Sequence, residues 1–252
     1  MSKTTQGTAI EWTDFTYNPT VGCTHVSAGC NNCYADAMAK RLQAMGQADY
    51  KDGFAPRIHE RRLDPKFSKH PWRIKEPSKI FVNSMSDLFH ADFPLSFIQR
   101  VLDLFSHPRG AHHTYQILTK RSKRLAELAP QINWPANVWM GVSVEDASKA
   151  IRIDRLRTVS TSVRFLSLEP LLGPLPQLNL DCIHWVIVGG ESGPGARPMS
   201  LDWVRDIRDQ CVRYGVPYFF KQVGGVNKKA TGRLLDGRTW DEMPARAEVA
   251  RA

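Results

Sequence analysis

A chain of 252 residues, 42% of them apolar, has enough material for one barrel-sized domain with a sizeable core. It contains no stretch of about 18 apolar residues, and 34 basic against 25 acidic side chains leave a formal charge of +9, which favours polyanionic partners over a membrane interior. Five cysteines, three of them within eleven residues, fit a pairwise disulfide framework poorly and point to metal in a reducing compartment.

Residues 1–7 lack the apolar run of a signal peptide, so a soluble, cytoplasmic protein is expected, with one domain spanning 1–252. In chain order, a first strand is expected near 12–17. The cysteines follow it as Cys23, Cys30 and Cys33, with six and then two residues between them. That spacing can bring three thiolates to one centre, and Gly22 and Gly29 allow the tight bends this requires. Cys33 opens an amphipathic stretch over 33–42, which sets the last thiolate at a helix N-terminus, where the dipole stabilises its charge. Soft sulfur donors select iron-sulfur clusters or zinc. Three thiolates suit a [4Fe-4S] cubane with one iron left open; in the zinc alternative, His25 completes a tetrahedral Cys3His site.

The stretch 50–79 has no clear period and reads as an insertion. Arg57, Arg61, Arg62 and Arg73 alternate there with Phe54, Phe67 and Trp72, a mixture suited to gripping a nucleic-acid backbone and stacking bases. The plainer reading is a solvated loop pinned by its aromatics. Beyond it, β-branched and aromatic runs at 80–83, 114–118, 138–142, 163–168, 184–188 and 218–220 read as strands buried on both faces. Helical spacing links Leu95, Ile98, Val101, Leu102 and Phe105, and later Trp203, Val204, Ile207, Cys211 and Tyr214. Ser200 is the expected N-cap of the second helix and Gly215 its C-terminal glycine. Cys182 and Cys211 are expected in the core, and His112 and His113 at the surface. A turn at 236–237 precedes a tail at 245–252.

This alternation implies βαβ units and a fold of the α/β class: a parallel (β/α) partial or full TIM-like barrel of about six to seven strands. An open doubly wound sheet is the alternative. In both, the carboxyl ends of the strands share one face. Asn83, Ser84 and Asp87, then Lys120, Glu145, Glu169, Glu191, Lys221 and Gln222 fall at those ends. The glycine-rich run 189–195 allows a ligand to approach the backbone but matches neither the P-loop nor the dinucleotide fingerprint.

The three cysteines resemble a variant of the radical S-adenosylmethionine signature, whose usual spacing is three and two, with an aromatic commonly before the last cysteine. Here the first gap is six, and Asn32 precedes Cys33. The whole chain is similar to a phage-associated three-cysteine family. Glu11-Trp12-Thr13, Asn18-Pro19, Gly22-Cys23, Gly29-Cys30 and Cys33-Tyr34-Ala35 carry that similarity, as do Leu168-Glu169-Pro170-Leu171, Gly189-Gly190-Glu191-Ser192 and the run from Leu235 to Trp240.

The resemblance implies a [4Fe-4S] cluster on Cys23, Cys30 and Cys33, with S-adenosylmethionine as cosubstrate. An electron donor, a nucleic acid or nucleotide as substrate in modification or repair, and a separate partner protein are also implied. Glu169, Glu191, Lys120 and Lys221, with Gly189 and Gly190, are then candidates for holding the cosubstrate. Asn83, Ser84, Asp87, Glu145 and Gln222 are candidates for catalysis or substrate contact. A nucleic-acid-binding module with a structural zinc or iron-sulfur site is the second reading; it expects a closed metal site and binding that weakens steeply with salt.

Overall fold

β-branched and aromatic side chains favour a pleated surface, and such runs set the strands in this computed structural model, which describes residues 7–245. The opening residues, and all of the expected 245–252 tail except Ala245, lie outside the described residues. In chain order the strands are β1 (Phe15–Tyr17), β2 (Thr20–Val21), β3 (Arg57–Ile58), β4 (Lys79–Val82), β5 (Thr114–Thr119), β6 (Val138–Ser143), β7 (Val163–Leu168), β8 (Trp185–Gly189) and β9 (Tyr218–Gln222). The principal helices are α1 (Tyr34–Ala44), α2 (Leu95–Ser106), α3 (Ser122–Leu128), α4 (Ile151–Arg157) and α5 (Leu201–Tyr214).

Seven strands form one parallel sheet in the order β1-β4-β5-β6-β7-β8-β9. Each new strand is added on the same side, so the order has no reversal of the kind a doubly wound sheet requires. The sheet curls into a half-barrel, an α/β partial TIM-like barrel. β2 and β3 stand apart as an antiparallel pair, Thr20 opposite Ile58 and Val21 opposite Arg57. This pair ties the stretch 50–79 to the segment just before Cys23, and the rest of that stretch is irregular apart from short 3-10 turns at Glu60–Leu63 and Pro71–Arg73.

Because strand side chains alternate between faces, the sheet has two cores. Ile80, Val82, Ile117, Met140, Val142, Leu166, Val186, Val188 and Phe220 meet the helices, among them Ile98, Leu102 and Phe105 of α2 and Val204 and Ile207 of α5. Burying each such side chain contributes about 1.5–3 kcal/mol before entropy is counted. Helix α5 has the expected ends: Ser200 accepts the amide hydrogen of Asp202 at 3.2 Å, and Gly215 closes the helix at φ 65°. The other face carries Trp12, Phe81, Trp139, Phe165, Trp185 and Phe219. Trp12 meets Phe81 edge-on at 4.7 Å and Trp185 at 6.1 Å. Followed along the strands, the same face passes from these aromatics to Ser143, Ser167, Gly189 and Lys221 at the carboxyl ends.

Two expectations from sequence need correction. His113 is 1% exposed, not at the surface, because it sits at the entry to β5, where its Nδ1 accepts the Ser78 amide hydrogen at 3.3 Å. Cys182 is exposed, not in the core, in the loop between β7 and β8 with φ 58°. Among the described residues, no helix is long and apolar enough to cross a membrane.

Candidate functional site

The cysteine loop lies across the carboxyl ends of the strands, and several strand-end networks hold it there. At its start, Gly22 donates its amide hydrogen to Met85 at 3.0 Å, and the Ser86 hydroxyl donates back to the Gly22 carbonyl at 2.7 Å. Gly22 has φ 78°, and a Cβ there would come within 2.1 Å of the Ala55 carbonyl oxygen, so only glycine fits. Cys23 follows, its amide bonded to the Phe54 carbonyl at 3.1 Å. Burial, then the neighbouring Asp87 carboxylate, pushes its thiol up to about 11; Arg121 opposes this and nearby Cys30 adds to it.

Asp87 is buried among donors. Thr119 places its hydroxyl 2.7 Å from Oδ1, the amides of Phe89 and Lys120 donate at 3.0 and 3.2 Å, and the Arg121 guanidinium lies 3.5 Å away. Arg121 also donates to the Thr24 hydroxyl at 2.7 Å, and that hydroxyl lies 2.9 Å from Nε2 of His90. The residue after Cys23 is thereby tied to the ends of β4 and β5.

The middle of the loop rests on Glu145. Ser27 donates to its Oε1 at 2.6 Å, Arg152 donates to Oε2 at 2.9 Å, and the Lys120 ammonium lies at 3.7 Å. Gly29 presses on the same carboxylate, since a Cβ there would lie 2.5 Å from it. Cys30 ends a 3-10 turn, donating its amide hydrogen to Ser27 at 2.8 Å.

The last part of the loop rests on Glu191. Asn32 donates to it at 2.9 Å, and Arg197 donates through its amide at 3.0 Å and through its guanidinium at 2.9 and 2.6 Å. Burial would raise this carboxyl, but the bonds from Arg197 and Asn32 outweigh it and hold it at about 2. Arg197 also reaches the Ala28 carbonyl at 2.9 Å. Cys33 is the N-cap of α1, next to Tyr34, whose hydroxyl donates to the Ser84 carbonyl.

The remaining sequence candidates are distributed as follows. Glu169 and Lys221 pair at 2.9 Å above the aromatic face. Gly189 ends β8, and Gly190 donates its amide hydrogen to Gln222 at 3.0 Å while the Gln222 side chain donates to the Gly190 carbonyl at 2.9 Å. Ser84 donates its hydroxyl hydrogen to Asn18 at 3.2 Å. Asn83, just past β4, has φ 63°, a conformation that costs about 1–3 kcal/mol for a side-chain-bearing residue. Nδ2 of Asn83 and Oε1 of Gln222 are buried without a hydrogen-bond partner among the described residues.

In the stretch 50–79, Arg57 pairs with Asp52, and Arg61 and Arg62 both pair with Asp49. Arg62 is 8% exposed and donates as well to the Asn18 carbonyl. Arg73 lines a separate cleft of about 410 Å³ beside β1.

Sequence reasoning placed Arg121 at a strand end beside Thr119 and Lys120 but missed Thr24, Ser27, Asn32, Arg152 and Arg197. Thr24, Ser27 and Asn32 meet partners far along the chain, Arg121, Glu145 and Glu191, whereas Arg152 and Arg197 fold back onto Glu145 and Glu191 within their own strand-to-helix units. All five cysteines are free. As the side chains stand, no three His, Cys, Asp or Glu groups among the described residues are close enough together to hold a metal ion. The donor chemistry nevertheless fits an iron-sulfur cluster: three half-buried thiols share one loop, and Cys30 lies near enough to Cys23 to help push the Cys23 thiol up. Their deprotonation is favoured once a cation sits among them.

Among solved structures the chain is similar to spore photoproduct lyase. One such structure, a variant with bound AdoMet and dinucleoside spore photoproduct, aligns at TM-score 0.48 and 11% identity, covering 79% of this chain and 61% of that one. A second variant aligns at TM-score 0.49 and 12% identity with the same coverage. This chain spans about three fifths of the length of those lyase chains. Curated proteins gave no match. A family model matches residues 7–244, nearly the whole chain, and the chain belongs to that family, described as "Protein of unknown function (DUF5131)".

Proposed function

We propose that the protein is a radical S-adenosylmethionine-type enzyme acting on a nucleic acid, with Cys23, Cys30 and Cys33 as ligands of a [4Fe-4S] cluster. One observation carries this reading: three free thiols occupy a single loop, and three separate carboxylate networks, on Asp87, Glu145 and Glu191, anchor that loop over the open end of a half-barrel. Three buried carboxylates gathered to hold one surface loop support a functional role for it.

When bound, the cluster supplies an electron, drawn from an external donor, for reductive cleavage of S-adenosylmethionine and hydrogen abstraction from the substrate. The chain's own residues hold and orient. Asp87 with Arg121 and Thr24 fixes the backbone after Cys23. Glu145 with Ser27 fixes the turn that ends in Cys30, and Glu191 with Arg197 and Asn32 fixes the approach to Cys33. Lys221 and Glu169, opposite charges at 2.9 Å, suit the carboxylate and ammonium of an amino-acid cosubstrate. Lys120 supports Glu145, and Gly189, where a Cβ would come within 2.7 Å of Glu169, lets that carboxylate lie close over the strand end. Asn83, with Ser84 beside it, and Gln222 stand at strand ends toward opposite edges of the sheet, as candidates for substrate contact once the loop around them moves. The aromatic layer beneath excludes water from this end of the sheet.

Anaerobic reconstitution with iron and sulfide tests the ligand assignment. About four irons per chain are expected, and none when Cys23, Cys30 and Cys33 are all replaced by alanine. A protein that takes up only zinc, or equal iron in the triple variant, contradicts the reading.

A further inference from the structure

Beside the cysteine loop, between α3 and α4, lies an open trough of about 540 Å³. Seven basic side chains line it, Lys120, Arg121, Lys123, Arg124, Lys149, Arg152 and Arg155, against one acidic side chain, Glu127. Their pairing decides which of these charges remain available. Arg152 is buried on Glu145, and Arg121 is engaged by Asp87 and Thr24. Among the described residues Arg124 and Arg155 donate to neutral oxygens, the Phe93 carbonyl at 2.8 Å and the Ser122 hydroxyl at 3.4 Å, and neither has a carboxylate partner. Lys123 is 79% exposed and 3.9 Å from Glu127, a weak surface pair. Lys149 lines the trough without a carboxylate partner among the described residues. Val26 and Ile151, 40% and 51% exposed, add apolar surface.

We infer that this trough is where a nucleic-acid strand binds, its phosphates on Lys123, Arg124, Lys149 and Arg155 and its apolar sugar and base faces on Val26 and Ile151. The inference rests on the nucleic-acid reading above and says where that substrate is held. A row of cations along an open trough matches a repeating polyanion better than a single small anion, which would need one enclosed cradle. Position supports the assignment. Val26 belongs to the loop between Cys23 and Cys30, and Arg121 joins the trough to Thr24, so a strand lying here passes directly beside the cysteines. The arginines Arg57, Arg61 and Arg62 of the stretch 50–79 differ in that each has a carboxylate partner, Asp52 for the first and Asp49 shared by the other two, which offsets two of their three charges.

Fluorescence anisotropy of the full chain with labelled single-stranded DNA and RNA, across a salt series, tests the inference. Inorganic polyphosphate and anionic lipid vesicles serve as competing probes. The double substitution Lys123→Ala with Lys149→Ala is expected to weaken oligonucleotide binding about tenfold and to flatten the slope of log affinity against log salt by about two. Arg61→Ala with Arg73→Ala is expected to leave both unchanged. No oligonucleotide binding by the unaltered chain at low salt, binding lost only through Arg61 and Arg73, or tighter capture by vesicles than by oligonucleotide would overturn it. Iron and sulfide content, measured on the same preparations, separates the two claims. A trough variant that keeps its cluster but binds oligonucleotide normally removes the trough alone. A chain that binds oligonucleotide through the trough but takes up no cluster removes the radical-enzyme reading alone.

Discussion

Ser27 and Glu145, 118 residues apart in the chain, share a 2.6 Å hydrogen bond in which the hydroxyl donates to a fully buried carboxylate. Arg152 and Lys120 compensate the charge from the other side. Replacing Glu145 by Gln keeps the shape but leaves Arg152 buried without its counter-charge. Breaking a buried pair in this way costs about 3–5 kcal/mol, and Ser27→Ala, which removes one bond to a charged group, costs about 1.5–3 kcal/mol. Urea unfolding of the two variants measures both losses; an unchanged Glu145→Gln midpoint would contradict this account of the loop.

Gly29→Ala places a Cβ 2.5 Å from the same carboxylate. The expected result is a loss of about 1–3 kcal/mol from overpacking, together with reduced iron retention after reconstitution, because the strain falls on the turn that ends in Cys30. Full iron content in that variant would show that the turn tolerates displacement.

His59 and His70 give the protein an acid-sensitive limb. Burial lowers both from 6.5 to about 4, with Arg62 adding to the effect at His59. The folded chain therefore binds fewer protons than the unfolded one between those values, so stability is full above about pH 6.5 and falls as pH drops toward 4. His70→Asn retains an acceptor for the Trp72 amide, which His70 now accepts at 3.3 Å. Unfolding midpoints measured at about pH 7 and pH 5 are expected to differ less in this variant than in the unaltered chain.

Glu169 and Glu191 are expected to separate by phenotype. Glu169→Gln leaves the loop anchors intact and removes one charge of the Lys221 pair, so S-adenosylmethionine binding should weaken about tenfold, or about 1.4 kcal/mol, with iron content unchanged. Glu191→Gln loosens Arg197 and Asn32, so iron content should fall first. Calorimetric titration alongside iron analysis distinguishes the two, and identical behaviour would merge their roles.

The fold was largely legible because strand runs such as 163–168 and helix stripes such as Leu95, Ile98, Val101, Leu102 and Phe105 are local patterns with fixed periods. Strand order was not legible, since hydrophobic runs carry no record of which neighbour they pair with. At the site, the cysteines and the strand-end carboxylates stood out by residue type and spacing. Arg152 and Arg197 did not, because an arginine on a short helix or in a loop looks like surface charge until the fold turns it back onto the carboxylate that precedes it, Glu145 or Glu191. The stretch 50–79 drew attention through its basic composition alone, and composition does not reveal that Asp49 and Asp52 lie within reach of three of its arginines.

The most direct test of the central claim is electron paramagnetic resonance of the reconstituted, reduced protein with and without S-adenosylmethionine. A cubane signal that requires Cys23, Cys30 and Cys33 and shifts when the cosubstrate is added is the expected result, since it requires an open iron. A cysteine-dependent signal indifferent to S-adenosylmethionine would contradict the radical-enzyme reading and assign the cluster to structure or electron transfer.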